Sequence, residues 1–269
     1  MIGDFEHLFS RVLYLSGLVG LLVSLSISSA GLAYRLLGRR WMLLTGVVGV
    51  PVHELSHAVT ALAMGMRVDR MRLFSPDPMS PQLGFVTVAY NPTNPVHNMG
   101  LFLVGLAPLL VGAVLLELGL RHLGLSSMPA LAMDSLASGW PSDVNDIAVV
   151  MAAFVQQSWG IPASLLSVLI AWSLICIAMH AAPSMADLMM AGRGAFWLAL
   201  IFWLLLAPVL IVTGWGVWFD QQTPGWLSFA AWAIAQVSVV TFLVAATLGV
   251  LIGMPRLVLR SVFSTPDRH

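Results

Sequence analysis

Residues Met42–Met66 read MLLTGVVGVPVHELSHAVTALAMGM. The stretch exceeds the roughly 20 apolar residues that cross a bilayer core. Yet it carries His53, Glu54 and His57 near its middle. On a helix, residues four apart share a face, so His53 and His57 can offer two imidazole nitrogens to one metal ion. Glu54 projects about 100° around the helix from His53. From there it can take a proton from water activated beside that metal. A carboxylate at mid-membrane costs roughly 2.5–3.5 kcal/mol on insertion scales, so a glutamate between two histidines calls for a function. The bland alternatives are a chance match and a polar helix–helix contact.

The composition supports a membrane reading. Of 269 residues, 59% are hydrophobic and 9% charged, against about 25% charged in soluble domains. We expect an all-α integral membrane protein, a single membrane domain over 1–269. Formal net charge is zero, so no bulk field points to nucleic acid as a partner. The lone cysteine, Cys176, lies in an apolar run and reads as packing.

Six apolar segments approach spanning length: 12–33, 42–66, 98–120, 161–182, 195–218 and 227–252. The first follows an acidic leader, Asp4-Phe5-Glu6-His7, and reads as a retained helix rather than a signal peptide. Between the second and third helices, Gly84 to Tyr90 has strand composition bounded by Asn91-Pro92, which predicts a short hairpin or extended edge. Residues 144–159 suit an interfacial amphipathic helix. With the N-terminus inside, eight arginines fall on the cytoplasmic side and four outside. That balance predicts both termini in the cytoplasm, with 67–97 on the same side.

A catalytic zinc takes three protein ligands and leaves one position open. The chain has three glutamates, Glu6, Glu54 and Glu117. Glu117 sits at the far end of the third span, toward the opposite membrane face. Asp187 follows the fourth span, after Pro183 ends the helix, and falls on the same side as His57. Its alternative is an ordinary loop carboxylate. His180 is either a donor to a substrate oxyanion or a hydrogen-bonded structural histidine.

HExxH is a pattern of zinc hydrolases. Together with His180-x-x-Pro183…Asp187, it resembles the site-2-protease family of intramembrane zinc metallopeptidases. That family sets HExxH in one core helix and an aspartate ligand two helices later. His180 stands where the family usually has asparagine, and Leu188 where it has glycine. The run Leu83-Gly84-Phe85-Val86 to Asn91-Pro92, then Gly105-Leu106-Ala107-Pro108, resembles a compact prokaryotic branch. The likeness covers about 41–193, with 1–40 and 194–269 as flanking helices.

The resemblance implies peptide-bond hydrolysis in a prokaryotic plasma membrane. The implied cofactor is Zn²⁺ on His53, His57 and Asp187, with Glu54 as general base and His180 beside it. The substrate would be a membrane protein or peptide held extended along Phe85, Val86, Thr87 and Val88. For that strand, a structural lid is the alternative. Other function classes are a metal transporter or sensor, an inactive protease-like scaffold, and a glutamate-liganded membrane protease.

Overall fold

The computed structural model describes residues 26–77, 82–124 and 164–206, with isolated positions 17, 20, 23, 24, 208, 209, 241 and 255. Most described residues are helical. Helix α1 covers 26–37 and Gly38 turns the chain into α2, Arg39–Ala63. Gly65, with φ 75°, closes α2: Gly65 N–H bonds Leu62 O and Met66 N–H bonds Ala61 O. This 6→1, 5→2 pair is a Schellman stop, and only glycine takes the left-handed geometry without strain. The stop reverses the chain into β1, Arg67–Arg72, which pairs antiparallel with β2, Phe85–Ala89. Arg67 faces Ala89, Arg72 faces Phe85, and a bulge separates Val68 from Arg70. The expected strand is therefore present as half of a two-stranded sheet.

Helix α3, Pro95–His122, starts on an Asn94 cap that accepts from Val96 N–H and His97 N–H. Helix α4 is Leu165–His180 and α5 is Met185–Ile201, continued by a π-helical turn, Phe202–Leu206. Among the described residues, three helices are long and apolar enough to cross a membrane: Arg39–Ala63, Pro95–His122 and Met185–Leu205. At 16 residues, α4 is shorter. It reaches about 24 Å at 1.5 Å per residue.

The last described span begins ten residues before the expected 195. Gly192-Arg193-Gly194 interrupts the apolar run but not the helix. Ser184 caps it and Asp187 returns the bond, and this capping box starts the helix directly after Pro183. The segment 227–252 and the interfacial helix expected at 144–159 lie outside the described residues apart from Thr241.

α3 packs against α2, α4 and α5, and so lies at the centre. Its Leu106, Leu109, Ala113, Leu116 and Leu120 meet Leu174, Ile177 and Ala178 of α4 and Ala191 of α5 in the core. Small residues let these helices approach closely. At Gly49 an added Cβ would meet Cys176 O and the His180 ring. At Gly105 it would meet Asp187 O and Ala191. Gly105 thus lies beside the candidate ligand Asp187, and Gly49 beside His180. On α2, Leu44, Val47, Leu55, Val59 and Leu62 face outward while Thr45, Glu54, Ser56 and His57 are buried. An apolar exterior of this kind is compatible with lipid.

Candidate metal centre

Two helices supply the three side chains. His53 and His57 stack one turn apart on α2, and Asp187 enters from the first turn of α5. His57 Nε2 lies 3.2 Å from His53 Nε2 and 3.1 Å from Asp187 Oδ1. His53 Nε2 lies 3.5 Å from Asp187 Oδ2. These three residues form a group able to hold a metal ion.

The far side of each ring fixes its tautomer. His53 Nδ1 is 2.7 Å from His180 O, and His57 Nδ1 is 2.7 Å from Val104 O. A carbonyl only accepts, so each Nδ1 carries a proton and donates it. In the neutral ring each Nε2 then presents a lone pair. Two lone pairs and a carboxylate thus converge within 3.5 Å. Protonating both rings would set two imidazolium charges side by side, whereas one cation at the centre satisfies all three groups. Metal-bound histidines commonly donate their second N–H to a carbonyl in this way.

The spacing also suits zinc. Ligands about 2.0–2.1 Å from a tetrahedral ion stand about 3.3 Å from one another. The two ring nitrogens stand 3.2 Å apart, close to that value, and each lies near its own Asp187 oxygen, Oδ1 at 3.1 Å from His57 and Oδ2 at 3.5 Å from His53. Two nitrogens and one carboxylate oxygen are a donor set that zinc accepts, with a fourth position left over.

Asp187 is held in place by its own helix. Ser184 N–H donates to Asp187 Oδ2 at 2.7 Å, and Asp187 N–H donates to Ser184 Oγ at 3.3 Å. The same carboxylate therefore caps α5 and faces the histidines.

Glu54 is 8% exposed and interacts electrostatically with His53, His57 and Asp187. Among the described residues its carboxyl makes no hydrogen bond. A Cβ on Gly84 would lie 2.9 Å from Glu54 Cγ, so the chain entering β2 passes directly over this side chain. Phe85, Val86, Thr87 and Val88 follow, with the Arg72 guanidinium 5.6 Å from the Phe85 ring. Among the described residues neither outer edge of the sheet is paired. Val88, Tyr90, Leu101, Ala186, Met190 and Arg193 line a cavity of about 190 Å³ between β2, α3 and α5.

His180 lies at the end of α4 with its ring against α2. Thr45 Oγ1 donates to Trp41 O at 2.8 Å and lies 3.0 Å from His180 Nε2, which must then be the donor. Glu117 stands apart from the cluster, in a contact with Arg121 on its own helix. The sequence did not reveal Thr45, Ser184 or the Val104 carbonyl. Thr45 and Ser184 leave a trace: a threonine two turns before His53, and the Ser-x-x-Asp spacing of a helix cap.

Comparison of the chain with protein-family models, curated proteins and solved structures finds no match.

Proposed function

We propose that the chain is an intramembrane zinc metalloendopeptidase of the site-2-protease type. Its substrates would be membrane-embedded or membrane-proximal proteins. One observation carries this reading: two imidazole lone pairs and a carboxylate converge beside a buried, uncommitted Glu54. His53, His57 and Asp187 would hold the ion. When bound, zinc supplies a Lewis acid that polarises a carbonyl and acidifies water.

The chain's own residues do the rest. Glu54 takes the proton of the attacking water and passes it to the leaving nitrogen. It is not needed as a ligand, so its carboxylate is available for proton transfer. A transmembrane helix has its carbonyls already bonded and must unwind before hydrolysis. The open edge of β2, from Phe85 to Val88, offers backbone groups to that extended segment, close to Glu54. Between the two roles expected of His180, its bonds favour the structural one. The ring ties α4 to Thr45 and the carbonyl orients His53. The six-span arrangement, with both termini in the cytoplasm of a prokaryotic plasma membrane, belongs to the same reading and rests on hydropathy and arginine balance.

Glu54→Gln separates this reading from its rivals. In lipid nanodiscs, the wild type should hydrolyse an unstructured reporter protein. The variant should keep its zinc and lose hydrolysis. A transporter or a scaffold has no use for a general base. Hydrolysis by Glu54→Gln at the wild-type rate would remove the assignment.

A further inference from the structure

Helix α3 carries a proline in its interior, Pro108, which is fully buried. In a regular α-helix the N–H of residue 108 would bond the carbonyl of residue 104. Proline has no N–H, so the helix leaves Val104 O without its usual donor. A buried carbonyl needs a partner. Here the partner is His57 Nδ1, at 2.7 Å.

The second histidine follows the same logic by another route. His180 O ends α4, and its regular donor would be Ser184 N–H. That N–H is taken by Asp187 Oδ2 at 2.7 Å, and His180 O accepts from His53 Nδ1 instead. Each histidine is therefore oriented by a carbonyl that its own helix does not use. The turn Val104–Pro108 serves the centre twice, because Gly105 also admits the Asp187 backbone.

We infer that Pro108 is a positioning residue for the metal centre: its missing N–H keeps the Val104 carbonyl available to orient His57. This inference rests on the metal reading above and names a residue outside the ligand set. An N–H at position 108 would compete with His57 for Val104 O. Losing such an outer contact typically weakens metal binding about 10- to 100-fold.

The test compares two replacements that share a methyl side chain and differ only in a backbone N–H against an oxygen. Pro108→Ala restores the N–H. Replacing residue 108 by lactic acid, through suppression with an α-hydroxy acid, puts an ester oxygen there instead. Zinc affinity of the full chain in nanodiscs is measured by competition with a chromophoric chelator, and thermal unfolding is followed without metal. We expect Pro108→Ala to bind zinc 10- to 100-fold more weakly, with metal-free stability unchanged or raised. The lactate form should stay within about threefold of wild type. Equal loss in both forms would assign the effect to the proline ring or the helix bend and overturn the inference. So would wild-type affinity in Pro108→Ala, or a fall in metal-free stability parallel to the affinity. A wild type that binds no zinc would instead overturn the metal reading itself, and this inference with it.

Discussion

Gly84→Ala puts the relation between β2 and Glu54 to a quantitative test. A Cβ at position 84 would stand 2.7 Å from Val50 Cγ1, 2.9 Å from Glu54 Cγ and 3.0 Å from Arg72 O. Carbon atoms settle at about 3.5–4.0 Å, so the shortfall against both side chains is about 1 Å. Val50 is buried and β-branched, with one preferred rotamer in a helix, and Arg72 O belongs to the paired strand. Neither yields easily, so the strand must lift or Glu54 must shift. Overpacking of this kind costs about 1–3 kcal/mol of stability. A displacement of about 1 Å at a reacting group costs about 100-fold in rate. The three candidate ligands are not among the three atoms nearest the new methyl. We therefore expect hydrolysis of an unstructured reporter to fall about 100-fold at wild-type zinc content. Wild-type turnover in a correctly folded Gly84→Ala would refute the claim that β2 delivers substrate over Glu54.

His180→Ala and Thr45→Val should each weaken zinc binding several-fold, because both loosen the α4 end whose carbonyl orients His53. An oxyanion donor would behave differently: His180→Ala would keep zinc and lose about 100- to 1,000-fold in turnover. In a Cys176→Ser background, a cysteine at Pro78 should be shielded from an impermeant reagent in intact cells, and one at Trp140 labelled. The reverse pattern would invert the topology derived from the arginine balance.

The candidate ligand pair was legible in the sequence because an i, i+4 spacing fixes a shared helical face whatever the fold around it. Asp187 was legible by scarcity, since few acids lie near the apolar runs. Its setting was not. A run-based reading starts the last described span at 195, past Gly192-Arg193-Gly194, while the Ser184–Asp187 cap starts it at Met185. The result places Asp187 inside a helix rather than on a loop, which fixes its carboxylate more firmly. The strand at 85–89 has strand composition, but its partner RVDRMR does not alternate. β1 is a strand because the Schellman stop at Gly65 aims it at β2. The acceptors for both histidines are backbone carbonyls, which no letter encodes. For Val104 the trace is the proline four residues later.

The central claim is that His53, His57 and Asp187 form one zinc site with Glu54 outside it. Zinc content of the purified chain tests this most directly, measured for wild type, His53→Ala, His57→Ala, Asp187→Ala, Glu54→Gln and Glu117→Gln. The account requires about one zinc per chain in wild type, Glu54→Gln and Glu117→Gln. It requires loss of that zinc in the three ligand variants. Zinc retained by Asp187→Ala and lost from Glu117→Gln would contradict the account and point to a glutamate-liganded site.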